Sequence, residues 1–449
     1  MSGLRLEETI VALATAPGRG AIALVRMSGS RAFAIAQRHI KPWPVSARTA
    51  THCSVFDEAE TLDDAVVTTY PAPHSFTGDD VVEISTHGGY AVPASVVAAL
   101  VRSGAAPALA GEFTRRAVLN GRIDLIQAEG IGELVNARST GMQRAALAQL
   151  RGGLTAKLNA LRSEIIGLEA LIAYDIDFPG EDDGPIADAD VSEATRSVEK
   201  TLVDLLSTAS FGRVIREGAS VVIAGPPNAG KSSLFNAMLG AARAIVTDIP
   251  GTTRDALEAT IDTGQWMLRL VDTAGLRPTA DTIERLGIEV SEQYLRGADI
   301  ALACADDIRA LEDVSTKLGT LTDAPILRVW TKADLRPGED VPAGIIAVSA
   351  ETRLGLDALF LQIGSTLSSC YGAHQSEDPV ITTARQQSAL TSALDEVRQF
   401  TLTRSSGRAP TTIAAVHLRE ATTALEDLIG AVDVEDVLTR LFSTFCIGK

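Results

Sequence analysis

The chain is poor in cysteine and has no long apolar run. Its four cysteines, Cys53, Cys304, Cys370 and Cys446, are scattered through 449 residues with no C-x-x-C pair, which argues against a disulfide framework and against a zinc site. No stretch of 18 apolar residues occurs, and Met1 to Thr9 lacks the charged-then-apolar layout of a signal peptide. A cytoplasmic, soluble chain with no membrane contact is the expectation. No low-complexity tract interrupts it, and 46% apolar with 22% charged residues is an ordinary globular composition. Positive charge is scarce too: 40 Lys and Arg face 57 Asp and Glu, a net charge of −17, which disfavours broad electrostatic wrapping of nucleic acid. Residues 1–125 hold 11 Lys and Arg against 12 Asp and Glu, so nearly all the acidic excess lies further on. Any RNA contact is therefore expected to be local or shared with a partner. The length predicts about three domains.

What is present centres on Val221 to Phe235, where an apolar β-branched run gives way to Gly225-Pro226-Pro227-Asn228-Ala229-Gly230-Lys231-Ser232-Ser233 and then to a helical pattern. This is the strand, loop and helix setting that G-x-x-x-x-G-K-[ST] requires. Gly225 and Gly230 let the loop turn its N–H groups inward around a phosphate chain, and the helix adds its positive end. Lys231 would bridge the β- and γ-phosphates, and the Ser232 hydroxyl would ligate the magnesium that the nucleotide brings. A second strand pattern ends in Asp272-Thr273-Ala274-Gly275, placing Asp272 near the magnesium shell and the Gly275 N–H near the γ-phosphate. Between them, Thr247-Asp248-Ile249-Pro250-Gly251-Thr252-Thr253 is a polar segment able to close over the metal as a switch. Further on, Thr331-Lys332-Ala333-Asp334 offers a carboxylate to the two N–H donors of guanine, a pair that adenine lacks, so Asp334 selects GTP. Ser349-Ala350-Glu351 has backbone N–H groups to meet the guanine O6. Five motifs in this order predict a GTPase domain, and no second P-loop appears elsewhere.

Before it, Thr9 to Met27 reads as a hairpin turning at Pro17-Gly18-Arg19-Gly20, Leu62 to Tyr70 and Asp80 to Ser85 as strands, and Val92 to Val101 as a helix. Leu147, Leu150, Leu154, Leu158, Leu161, Ile165, Leu168 and Ile172 form the stripe of a long helix, weakened at Gly152 and Gly153. Phe178 to Pro185 breaks it, and a helical segment follows from Val191 to Arg213. Helical patterning resumes at Ile381 to Thr403, Thr412 to Ile429 and Val434 to Leu441. The expected fold is multidomain α/β: a small α+β domain over 1–122, an α-helical domain in two parts over 123–216 and 372–449, and a Ras-like P-loop domain over 217–371 inserted between them.

The loop, the segment Thr247 to Asp255, Asp272 to Arg277, the stretch Gly111 to Leu125 and the terminal Phe445-Cys446-Ile447-Gly448-Lys449 together resemble the MnmE, or TrmE, family of bacterial tRNA modification GTPases, over essentially the full length. The resemblance implies a folate-binding N-terminal domain that makes a homodimer. It also implies work with the flavoprotein MnmG to build aminomethyl or carboxymethylaminomethyl groups at C5 of the wobble uridine, U34, of certain tRNAs. By the same resemblance Asn228, Thr247, Ile249 and Thr252 look like a potassium site, Ser232 and Thr253 like the magnesium ligands, and Glu284 like the catalytic glutamate. A glutamate is wanted there because Leu276 stands where Ras-like proteins carry glutamine. Arg26, Glu83, Arg122 and Lys449 look like contacts to a formyl- or methylene-tetrahydrofolate, and Cys446 matches the family's terminal cysteine. Two positions depart from the pattern: Thr331 replaces the asparagine of N-K-x-D, and Arg122 stands where lysine is common. The rival expectation is a ribosome-assembly GTPase of the Era or Der type, whose extra basic RNA-binding or second GTPase domain has no counterpart here.

Overall fold

The computed structural model describes residues 8–177, 188–241, 243–245, 257–272, 293–371, 379–405, 411–430, 445 and 448. They form two compact units, Met1–Gly132 with Glu426–Lys449, and Glu133–Leu425. No helix among the described residues is long and apolar enough to cross a membrane.

The first unit is built on a seven-stranded sheet. Its strands are β1 (Ile10–Leu13), β2 (Gly18–Ser28), β3 (Ile40–Lys41), β4 (Thr51–Asp57), β5 (Glu60–Tyr70), β6 (Val81–Gly89) and β7 (Ala106–Pro107), in the order β3-β4-β5-β6-β2-β1-β7. All neighbours are antiparallel except β1 and β7. The helix Ala91–Arg102 buries Val96, Ala99 and Leu100, and Val96 and Leu100 pack with Val25, Met27, Val67, Val82 and Ile84 of the sheet. The expected hairpin is β1 and β2, but β2 begins at Gly18, inside the predicted turn. The reason is close approach of two backbones: a Cβ on Gly88 would lie 2.1 Å from the Gly20 carbonyl oxygen, so glycine lets the strand extend where its composition reads as a turn. β3, β4 and β7 are not apparent in the pattern, two of them being only two residues long.

In the second unit the strands are β8 (Ala219–Ala224), β9 (Arg243–Ile245), β10 (Leu257–Asp262), β11 (Met267–Asp272), β12 (Ile300–Ala305), β13 (Ile326–Trp330) and β14 (Ile345–Ala347). Their order is β14-β13-β12-β8-β11-β10-β9, parallel from β14 to β11 and antiparallel beyond. Both faces are covered, and period-two alternation assigns each residue its side. Val221, Ile223, Ile300, Leu302 and Cys304 enter one core, whereas Val222, Ala224, Ala301, Ala303 and Ala305 enter the other.

Helices flank this sheet in sequence. The long apolar stripe is divided between Thr140–Leu150 and Gly153–Asp177, because Gly152 takes φ 81°, a left-handed conformation that ends the first helix. The next segment divides likewise into Asp188–Ser207 and Ala209–Glu217, with the Thr208 hydroxyl donating back to the Leu205 carbonyl at 2.7 Å. After the sheet come Leu356–Tyr371, Ala384–Ser405 and Thr411–Ile429. The predicted breaker at Phe178 to Pro185 and the helix over Val434 to Leu441 lie outside the described residues.

Candidate functional site

The connection leaving β8 is the centre of the second unit. β8 has β11 on one side and β12 on the other, so chain connections diverge there, and the carboxyl ends of the parallel strands leave a crevice at such a switch point. Residues 225–230 fill it. A Cβ on Gly225 would lie 2.0 Å from the Cys304 carbonyl oxygen, so the loop lies directly on β12 and admits no side chain at its first position. Asn228 at φ 62° and Gly230 at φ 81° turn the backbone through left-handed conformations, the geometry that points successive N–H groups into one concavity. The helix Lys231–Ala241 then starts, its axis adding partial positive charge at the loop. Lys231 is buried, and its ammonium donates to the Pro226 carbonyl at 2.8 Å, arching over the loop. Ser232 and Ser233 are exposed in the helix's first turn, and the Asn228 side chain is exposed at the crest of the loop.

Asp272 ends β11 fully buried. Its charge and that of Lys231 both act on Cys304, which places the three groups around one point beneath the loop. Burial pushes the Cys304 thiol up to about 12; Lys231 opposes the rise and Asp272 reinforces it.

A cavity of about 250 Å³ opens beside the loop, lined by Gly230, Ser233, Thr331, Lys332, Asp334, Ala350 and their neighbours. It lies below the roughly 300–1,000 Å³ of drug-sized sites, so it suits a base whose phosphates run outside along the loop. Lys332, in a left-handed conformation at φ 56°, starts the short 3-10 helix Ala333–Leu335 that carries Asp334. Thr331, the departure from the asparagine pattern, is buried, and its hydroxyl donates to the Ala229 carbonyl at 2.6 Å. It thus ties the base-side loop to the phosphate loop, a contact that a threonine hydroxyl makes without an amide. The Ser349 N–H is engaged by the Leu354 carbonyl at 3.0 Å, while Ala350 and Glu351 line the cavity. Lys332 also donates to Asp306 at 2.8 Å, and Asp306 was not apparent as a site residue from its position in the sequence.

Of the residues expected to complete this site, Thr247, Asp248, Ile249, Pro250, Gly251, Thr252, Thr253, Thr273, Ala274, Gly275 and Glu284 lie outside the described residues. So do Cys446 and Lys449.

In the first unit, Arg26 on β2 and Glu83 on β6 are direct cross-strand partners. The Arg26 Nε and Nη2 both donate to Glu83 Oε1, at 2.9 and 2.7 Å, and Tyr70 donates to Oε2 at 3.5 Å. The Phe76 and Phe113 rings sit 5.6 and 5.8 Å from the guanidinium carbon. Burial, then the Glu83 charge, raises the Tyr70 phenol above its ordinary value. The loop Ser75 to Asp80 borders this cluster. Its Thr77 hydroxyl hydrogen-bonds Ser28 at 2.7 Å, and its carbonyl accepts from Asn120 at 2.7 Å. Exposed Arg122 reaches the same loop, since a Cβ on Gly78 would lie 3.3 Å from its Cγ. Arg26, Glu83 and Arg122 therefore gather around one loop. Arg116, from the same sequence stretch as Arg122, is instead buried against Glu112 at 3.0 Å and belongs to the scaffold.

The family model described as "GTP-binding protein TrmE N-terminus" matches residues 9–122, and "MnmE helical domain" matches residues 125–446. The chain is 39% identical over 468 residues to the tRNA modification GTPase MnmE of Moorella thermoacetica, covering 99% of this chain and 100% of that one. It is 41% identical over 455 residues to the Akkermansia muciniphila protein of that name, with 99% of each covered. With the Aquifex aeolicus protein it shares 37% over 457 residues, 99% of this chain and 100% of the relative.

Proposed function

The chain belongs to the MnmE family of tRNA modification GTPases, and from that premise we propose that it hydrolyses GTP in the cradle after β8 as a step in modifying tRNA. The observation that carries this reading is the juxtaposition of Lys231, arched over residues 225–230, with a base-sized cavity walled by Lys332 and Asp334. Lys231 would bind the β- and γ-phosphates, the loop N–H groups would hold their oxygens, and Asp334 would accept from guanine. Glu284 would orient the attacking water.

The exposed Ser232 hydroxyl and the left-handed, outward-facing Asn228 suit hard cations at the phosphates. Magnesium would be held by Ser232 with Thr253, and potassium by Asn228 with Thr247, Ile249 and Thr252. When bound, such cations supply positive charge against the transferring phosphoryl group, the task of an arginine finger elsewhere. Potassium should therefore stimulate hydrolysis.

Arg26, Glu83 and Arg122, with Lys449, would bind a tetrahydrofolate derivative: cations suit its glutamate tail and a carboxylate suits its pterin ring, and the Phe76 ring beside Arg26 adds an aromatic face. When bound, the folate supplies a one-carbon unit. On this reading the domains divide at 1–122, 123–216, 217–371 and 372–449. The chain pairs through its first domain, and it acts in the cytoplasm with MnmG on U34 of certain tRNAs.

Nucleoside mass spectrometry on total tRNA from a strain lacking this gene tests the proposal. Loss of 5-substituted wobble uridines, restored on complementation, is the expected result. Unchanged uridines would overturn the modification role and favour a ribosome-assembly switch.

A further inference from the structure

Two adjacent aspartates follow β12 and perform different tasks. Asp307 caps the helix Ile308–Leu318, its Oδ1 accepting from the Arg309 and Ala310 N–H groups at 2.9 and 3.2 Å. Asp306 instead accepts from the ammonium of Lys332, a residue of the cavity wall, at 2.8 Å. Its backbone is fixed on both sides. The Asp306 carbonyl accepts from the indole N–H of core residue Trp330 at 3.3 Å, and Asp307 is held by its cap. The carboxylate is thus delivered from a rigid origin to the end of a flexible side chain.

Lys332 lines the cavity, and its stem runs beside the phosphate loop: a Cβ on Gly230 would lie 3.8 Å from the lysine Cε. Its backbone is already committed to a left-handed conformation. A lysine has a long, flexible stem with large rotamer freedom, so a wall made from one is well defined only if its far end is anchored. We propose that Asp306 is a positioning residue for nucleotide binding, pinning the Lys332 ammonium so that the lysine stem forms a standing wall over the guanine base. The inference rests on the nucleotide reading above and adds a residue to it. The Lys332 hydrogen bond also holds the Asp306 carboxyl below the usual carboxylate range, as a persistent contact requires.

Both side chains are more than a third exposed, at 38% and 45%, so the pair adds little to global stability. Its effect belongs in the lifetime of the bound nucleotide.

The test is the dissociation rate of N-methylanthraniloyl-GDP from the full chain in a double-mutant cycle of Asp306→Asn and Lys332→Met. Lys332→Met keeps the apolar stem and removes the charge. Asp306→Asn should speed dissociation about two- to fivefold, the range of an exposed ion pair. That difference should shrink between about 0.1 and 1 M salt. In the Lys332→Met background, Asp306→Asn should add nothing. Should Asp306→Asn not fold, Asp306→Glu carries the same cycle, since any effect it has must likewise vanish beside Lys332→Met. Additive effects, or an unchanged rate in Asp306→Asn, overturn the inference alone. A wild-type chain that holds no labelled GDP overturns the nucleotide reading, and this inference with it.

Discussion

Cys304 illustrates how a single residue beneath the phosphate loop records its surroundings. In the sequence it is one of four scattered cysteines, yet its carbonyl lies against the Gly225 backbone and its thiol is fully buried. The fold accepts the neutral thiol and not the thiolate, so its pKa rises from 9.0 to about 12. Its contribution to stability is fully present below pH 9.0 and is lost as pH climbs toward about 12. Thermal unfolding of wild type and Cys304→Ala across pH 8 to 11 checks this. The wild type should lose stability more steeply above pH 9.0, and parallel curves would remove the thiol from the account.

Among elements, the segment Val380–Thr383 is held by several buried hydrogen bonds. Buried contacts reach it from the helices Thr140–Leu150 and Ala384–Ser405 and from Thr208, the residue before the helix Ala209–Glu217. Gln149 donates to the Thr382 hydroxyl at 2.7 Å, Thr208 accepts from the Ile381 N–H at 3.0 Å, and Gln386 accepts from the Thr382 N–H at 3.0 Å. Buried polar groups so satisfied fix a segment's register, because any shift would strand them. Gly212 permits the approach: a Cβ there would lie 1.8 Å from the Ile381 carbonyl oxygen, a backbone atom that cannot rotate away. Gly212→Ala should therefore cost about 1–3 kcal/mol or more by overpacking. Urea unfolding gives the number, and a midpoint equal to wild type would show that the segment yields freely.

At the scale of the whole molecule, each unit depends on ties between residues far apart in sequence. In the second unit Asp299, just before β12, is one such tie. It accepts from Arg213 at 2.6 Å, from the Ser220 N–H at 2.7 Å and from the Tyr371 hydroxyl. These groups come from the helix preceding β8, from β8 itself and from the end of the helix Leu356–Tyr371, so one carboxylate gathers both ends of the nucleotide-binding fold. Tyr371 responds as expected: burial, then Asp299, raises its phenol well above the ordinary value. Asp299→Asn should destabilise the unit by about 1–3 kcal/mol, discounted because Arg213 is half exposed. Asp299 lies at the opposite end of the strands from the phosphate loop. Nucleotide affinity should consequently hold at temperatures where the variant is folded, and calorimetric titration beside a melting curve separates the two effects.

What depends on neighbours along the chain can be read from the order of residues. Short apolar runs marked β8 and β11, the glycine spacing marked the phosphate loop, and leucines three or four residues apart marked the helices, because each is set by local backbone geometry. Even the break at Gly152 was legible as a weakness. Which distant groups meet follows from the folded arrangement of the strands and helices. Thr331 reaches Ala229, Lys332 reaches Asp306 and Arg26 faces Glu83 only because strand order and register bring them together. Gly88 lets β2 extend through a turn-like composition because another glycine backbone lies against it. No local pattern carries that information, since a side chain's partner across a sheet is fixed by the crossover that delivers the neighbouring strand.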